Sequence, residues 1–475
     1  MASFKRKLSL QSALAIVVGG VIGSGIFMKP AVMASQLGSP WLLLSVWVVA
    51  GIITLFGALS NAELAALFPE TGGQYVFFQK IYGNGFAFIY GWAAFAVFNT
   101  GGNASIAYVC AQYINYFVRL PEFDAATAHA LRLHIPLTGD LYPLENIGTK
   151  SVTIFIVLLL TWISYRSIAY GSGLQRVFTF LKALAILMLI AGVMGSSKGS
   201  LANIHSTLPD APGGWSLAGA YMLAIAGAFW AYDGWNNITF VAGEIRNPQQ
   251  NIPRSLFVGL LFCIVTYLLI NLAYSYVLPV DRLAASRFVA SDAANAAWGK
   301  TGGMVIALIV VISTFGTANA NILATARVTF ALGSTSRFLS AAGKVEPRYH
   351  TPGNALWLNA GWTIVLIVSG SFDMLTDMLI FVSWFFYGMS ALGVLMLRKR
   401  MKTAERPYKV WGYPLVPLVF ILFTACFQVI TLVTDISQYR SGKTPVINTL
   451  LGMLITLMGL PIYFLFGRKQ MKRMG

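Results

Sequence analysis

The chain has 475 residues, 57% of them hydrophobic and only 10% charged, against roughly 25% charged in soluble globular domains, so no water-facing surface can be built from it. A net charge of +17 would point a soluble chain towards nucleic acid. Here the cations sit in short segments between apolar runs, and no nucleic-acid partner is expected.

Apolar stretches long enough to cross a hydrocarbon core about 30 Å thick recur along the whole sequence. They predict an all-α membrane protein of about twelve transmembrane helices in a lipid bilayer. The spans are placed at residues 10–34, 41–66, 86–118, 149–167, 174–195, 217–243, 255–279, 301–332, 354–371, 374–397, 413–434 and 446–467. The first follows Lys5, Arg6 and Lys7; it is longer than a signal-peptide core and has no Ala-x-Ala exit, so it is read as a span. Most Lys and Arg residues, including Arg337, Arg398 to Lys402 and Arg468 to Arg473, fall on one side if the N-terminus is inside. Lys29 falls on the other. That bias predicts a multi-pass protein of the cell (inner) membrane with both termini cytoplasmic.

Two spans contain glycine-rich interruptions at mid-length. The first reads Gly19-Gly20-Val21-Ile22-Gly23-Ser24-Gly25-Ile26-Phe27, and the sixth reads Gly227-Ala228-Phe229-Trp230-Ala231-Tyr232-Asp233-Gly234-Trp235-Asn236-Asn237. Each glycine weakens a helix by about 1 kcal/mol relative to alanine, so both spans are expected to break near the membrane centre. Gly19 and Gly23 alone form a small-xxx-small pair, whose ordinary meaning is close helix packing. Breaks in both the first and sixth spans instead suit two five-span repeats with discontinuous helices meeting at a central site. A helix restarting after Ser24 and Gly25 offers unpaired N–H groups to a carboxylate, and the freed carbonyls of the first halves suit an ammonium. An α-amino acid carries both groups.

The connection at 119–148 carries Pro121, Glu122, Asp124, Pro136, Asp140, Pro143 and Glu145, and is expected to be an ordered outer cap or a plain solvated loop. Cys110, Cys263 and Cys426 lie in apolar segments, where a thiol is a small packing residue. His129, His134, His205 and His350 all lie in loops, so no metal and no cofactor is expected. Gly195-Ser196-Ser197-Lys198-Gly199 follows a hydrophobic helix rather than a strand and is read as a chance Gly-x-Ser-x-Gly match. No second catalytic constellation is present, and the chain is read as not an enzyme.

Asp233, Arg327 and Lys182 are charged residues within spans. Asp233 either caps or pairs at its broken helix, or meets substrate or a proton. Arg327, near the inner end of the eighth span, is expected to snorkel or make an inner-gate contact. Lys182, in Leu181-Lys182-Ala183-Leu184, needs oxygen ligands or a neutralising acid.

These residues resemble the amino acid–polyamine–organocation superfamily and, within it, bacterial-type members of the L-type amino acid transporter family. Besides the first-span motif, the resemblance rests on Phe68-Pro69-Glu70-Thr71-Gly72-Gly73-Gln74-Tyr75-Val76 with Tyr82-Gly83 and Tyr90-Gly91-Trp92. It rests further on Gly243 to Pro248 with Asn251 to Arg254, and on Glu405 to Val410. It implies a LeuT-like fold of five plus five inverted spans and two further helices: repeats over 1–200 and 201–400, with 401–475 holding the additional spans and the C-terminus. It implies that the amides around Gly23, Ser24 and Gly25 hold a substrate carboxylate, and that the carbonyls of Val21, Trp230 and Asp233 take its ammonium. Trp230 would be an outer gate, Asn236 would stand beside the site, and Trp384 would form a pocket wall. Lys182 would lie beside the first break in place of a coupling sodium ion, the alternative being a structural anchor paired with an acid. The expected function is secondary active transport of small or medium neutral L-amino acids by sodium-independent alternating access, as an exchanger or a proton-coupled symporter. The alternative is a sensor that binds without translocating. With no cysteine in the 119–148 connection, no disulfide-linked heavy-chain partner is expected.

Overall fold

The computed structural model describes Arg6 and residues 8–166, 169–335 and 339–467. Lys5, Lys7, Arg337, Arg468, Lys469, Lys472 and Arg473, read above as inner cations, lie outside these residues.

The first predicted span is two helices, α1 (Leu10–Val21) and α2 (Gly25–Leu37), separated by Ile22, Gly23 and Ser24. Left-handed Gly38 (φ 64°) ends α2, and Pro40 opens α3 (Pro40–Leu67), where its missing N–H costs nothing. Helices α4 (Gln74–Tyr82) and α5 (Asn84–Ala93) follow, and a π turn at Ala94–Phe98 leads into α6 (Asn99–Asn115). Beyond α7 (Ala125–Ala128) come β1 (Leu133–Ile135) and β2 (Gly139–Leu141), then α8 (Ile147–Arg166) and α9 (Ala169–Met194). The sixth span is again divided, into α10 (Gly214–Tyr232) and the single turn α11 (Asn237–Phe240). Helices α12 (Pro248–Val277), α13 (Val280–Ala285), α14 (Val289–Trp298), α15 (Lys300–Thr335), α16 (Gly353–Ser369), α17 (Phe372–Arg400) and α18 (Leu415–Arg440) continue the bundle. It ends on α19 (Asn448–Leu457) and α20 (Gly459–Ile462).

Among the described residues, nine helical stretches are long and apolar enough to cross a membrane, and Lys182–Met194 and Gly353–Ser369 are shorter apolar helices. The third predicted span is the segmented stretch from α5 through the π turn to α6. The expectation of an all-α chain needs one correction. The 119–148 connection holds a two-stranded antiparallel hairpin, with Leu133 opposite Leu141. Its exposed edge is taken up by the turn between α18 and α19, through Asp140 N to Pro445 O (2.9 Å) and Ile447 N to Thr138 O (2.8 Å). At the hairpin, hydrogen bonds from Arg132 and then His134 hold the Asp140 carboxyl below the usual carboxylate range.

At the opposite end of the bundle, buried Glu63 of α3 anchors α17 and the segment after it. It accepts Arg398 Nε (2.9 Å), Arg398 Nη2 (2.6 Å) and the Val410 amide (2.7 Å), with Arg406 Nε 3.4 Å away. Removing one member of a buried ion network leaves the others desolvated and unpaired, at about 3–5 kcal/mol. Glu63→Ala is therefore expected to cost about 3 kcal/mol, read as a clear drop in the unfolding midpoint of detergent-purified protein, while Arg406→Ala costs less. Equal midpoints for Glu63→Ala and the parent would show that the network does not hold this end.

Candidate functional site

The two helix breaks pack against each other. A Cβ on Gly20 would stand 2.8 Å from the Gly234 carbonyl, and Gly234 has a left-handed φ of 97° that only glycine adopts freely. A Cβ on Gly25 would meet the Ala231 backbone and stand 2.7 Å from its Cβ. Gly25 is thus required by helix packing, whatever its amide does. Gly23 is different, because the nearest atom to its missing Cβ is the Thr317 methyl at an ordinary 3.5 Å.

Between the breaks lies a small cavity, holding about 50 Å³ open to the centres of water molecules. It is lined by Val21, Gly23, Ser24, Gly25, Trp230, Asp233 and Asn236 from the broken spans and by side chains of α6, α15 and α17. At the first break Ser24 caps α2 through no side-chain bond, so the leading amides of α2 have no carbonyl one turn earlier within the helix. On the other half of the break, Tyr267 of α12 places its hydroxyl 2.8 Å from Val21 O and 2.9 Å from Ala231 O, one proton serving two freed carbonyls. Trp230 O accepts the Asp233 amide (3.2 Å).

Lys182 is buried, 5% exposed, and its ammonium donates to Gly19 O (2.6 Å) and Thr317 Oγ1 (3.2 Å). Gly19 O is a carbonyl freed by the break, since α1 ends two residues later. Among the described residues no carboxylate lies within 4.0 Å of Lys182, so the alternative of an anchor paired with an acid is not what the structure contains. Asp233 does have a partner, the Tyr387 hydroxyl at 2.8 Å. Asn236 is held by Asn61 Nδ2 (2.6 Å) and donates to Gln74 Oε1 (2.9 Å), while Gln74 reaches Ser390 of α17 (2.8 Å). This network ties four chain segments together beside the cavity.

One expected site residue is elsewhere. Trp384 is not on the cavity wall: it stacks on Phe229 with ring centroids 3.4 Å apart and packs on Phe420 and Phe427 behind it. Tyr387, three residues on along the same side of α17, lines the cavity instead, while the Trp384 ring is held against Phe229, Phe420 and Phe427. Tyr267, Tyr387, Thr317, Asn99 and Asn321 were not foreseen; a tyrosine or asparagine inside a predicted span was the available signal.

Trp230 is capped on the hairpin side by Phe372, edge-on at 6.3 Å. Lys29, read as a surface cation, is in fact only 2% exposed and joins α2 to α17: Nζ lies 2.8 Å from Asp373 Oδ1, 2.8 Å from Thr376 Oγ1 and 4.9 Å from the Phe372 ring centre. At the other end Arg327 stands 3.4 Å from Glu244.

The sequence matches known transporters along its length. The family model described as amino acid permease matches residues 8–460. The chain is 30% identical over 475 residues to the serine/threonine exchanger SteT of Bacillus subtilis (strain 168), covering 98% of each. It is 28% identical over 471 residues to the b(0,+)-type amino acid transporter 1 of Mus musculus, covering 98% of this chain and 88% of that one. It is 30% identical over 471 residues to the large neutral amino acids transporter small subunit 2 of Mus musculus, at 98% and 81% coverage. These relatives are transporters and exchangers, not enzymes, and the chain is a multi-pass membrane protein that belongs to the amino acid permease family of the amino acid–polyamine–organocation superfamily.

Proposed function

We propose that this chain is a secondary active transporter of small or medium neutral L-amino acids, working by sodium-independent alternating access as an exchanger or proton-coupled symporter. The observation that carries the reading is the Lys182 ammonium on Gly19 O, beside the cavity where the two breaks meet. A cation supplied by the chain occupies the place where a freed carbonyl would otherwise call for an ion. The fold reading that goes with it is twelve spans, with repeats at 1–200 and 201–400 and the remainder at 401–475. Both termini are cytoplasmic in the cell (inner) membrane, and the hairpin and Lys29 face outward.

In this reading the amides at Gly23, Ser24 and Gly25 take the substrate carboxylate, with the helix dipole of α2 behind them. The carbonyls of Val21, Trp230 and Asp233 take its ammonium. Trp230 closes the outer path, Asn236 holds the second break in register, and Trp384 supports Phe229 from behind. Asp233 is the one ionisable side chain on the described cavity wall besides the phenol of Tyr387 that binds it, which favours neutral side chains. The chain needs no metal, no cofactor and no disulfide-linked heavy chain; the 119–148 connection has no cysteine for such a link. A non-translocating sensor draws no support from relatives named for transport and exchange.

Gly23→Ala adds a methyl to the cavity wall without colliding with backbone, so it tests carboxylate binding more cleanly than Gly25→Ala. Overfilling a close-packed site costs about 1–3 kcal/mol, and each 1.4 kcal/mol is tenfold in affinity. Apparent affinity for alanine in a thermal-shift titration is expected to fall about tenfold or more, with the ligand-free midpoint little changed. Unaltered affinity would remove the carboxylate assignment.

Lys182→Ala is expected to leave a folded protein whose exchange of a neutral amino acid, measured in proteoliposomes loaded with matched substrate, drops by about tenfold or more and is not rescued by sodium. Parental exchange in that variant, or strict sodium dependence in the parent, would overturn the assignment of Lys182.

A further inference from the structure

The cavity has a wall that the backbone groups of the amino acid do not use. If the carboxylate and ammonium lie on the two breaks, as proposed above, the side chain points at the wall built by Phe98, Asn99, Gly102 and Ile106 on one side and Thr317 and Asn321 of α15 on the other. This wall carries no ionised group. Asn321 Nδ2 is spent on Asn103 Oδ1 (2.8 Å), and the Thr317 hydroxyl is spent on Lys182 and on Ser313 O (2.9 Å).

Asn99 is the exception. It is 7% exposed, it lines the cavity, and its Nδ2 has no hydrogen-bond partner among the described residues. Leaving a buried amide unpaired costs about 1–3 kcal/mol. Exchanging the O and N positions of the amide leaves the other group unfilled instead, so the need for a partner does not depend on the assignment. An aliphatic residue of the same volume would close this wall without that cost. The Asp233 carboxylate is not that partner: it takes the Tyr387 hydroxyl, and Asn99 Nδ2 has none among the described residues.

We infer that Asn99 sets side-chain specificity: its amide pairs with a hydroxyl or carboxamide on a neutral substrate, so the transporter prefers such amino acids to aliphatic ones of the same shape. The physical basis is asymmetric. A site with a buried amide rejects the isostere that lacks the matching group, because the amide is then left unpaired and further desolvated. Threonine against valine and asparagine against leucine are the pairs that isolate this term, since the members of each pair share the number and branching of their side-chain heavy atoms.

The inference rests on the transport reading, and the experiment separates the two. Threonine, valine, asparagine and leucine compete against labelled alanine for exchange in proteoliposomes carrying the parent protein, and then the Asn99→Leu and Asn99→Ala variants. The expected result is that threonine and asparagine outcompete valine and leucine by about tenfold or more in the parent, and that both ratios collapse towards one in the variants. Equal competition within each pair in the parent, where alanine exchanges, overturns the inference alone; so does a preference that survives in the variants. No exchange of any amino acid by the parent overturns the transport reading itself. Should neither variant be recovered folded, the two ratios in the parent still decide.

Discussion

A helix interrupted in the middle of a membrane leaves N–H and C=O groups that water cannot reach, so protein or ligand must satisfy them. The arrangement around α1 and α10 follows from that constraint. Lys182 reaches from α9 to Gly19 O, and the Tyr267 hydroxyl lies between Val21 O and Ala231 O, so one phenol serves both broken spans. Glycines at 20 and 234 let the two interruptions approach to backbone contact, which brings their unfilled groups to one cavity. The amides opening α2 are left over, and they face the same space.

The two ends of the bundle are closed by chemically different means. At the hairpin end, Lys29 bridges α2 and α17 through Asp373 and Thr376, with Asp377 3.9 Å away. At the other end Glu63 gathers Arg398, Arg406 and the Val410 amide. A single buried ammonium can be released by rehydrating one side chain, whereas the Glu63 network must give up several hydrogen bonds together. The Lys29 ammonium also lies 4.9 Å from the Phe372 ring centre, and that ring packs edge-on against Trp230.

The breaks were legible because glycine density within an apolar run is a local signal, and Lys182 was legible because a lone cation in such a run needs partners. The dividing points themselves came out within the quoted motifs, at Ile22 to Ser24 and Asp233 to Asn236. Lys29 was not legible. It stands near a predicted span end, where snorkelling is the ordinary expectation, and its burial depends on Asp373, 344 residues later. Trp384 was placed on the cavity wall by resemblance, yet which face of α17 turns inward is fixed by packing against α3, α10 and α18. The hairpin was hidden because its strands are three residues each and one edge is completed by a segment near residue 446.

The same logic explains why the cavity and the lysine belong to one device. Thr317 accepts the Lys182 ammonium through its hydroxyl and presents its methyl to Gly23, so a single residue of α15 touches both the cation and the first break where it lines the cavity. Four residues further along α15, Asn321 is bonded to Asn103 of α6. A displacement of α1 that follows filling of the break must therefore change the Gly19 O to Lys182 bond, the Thr317 contact, or both. Conversely, loss of the Lys182 bond frees Gly19 O and Thr317 Oγ1 together, leaving both to find new partners. The ammonium is bound to the broken helix and to the wall opposite it, so the state of one cannot change without being registered by the other.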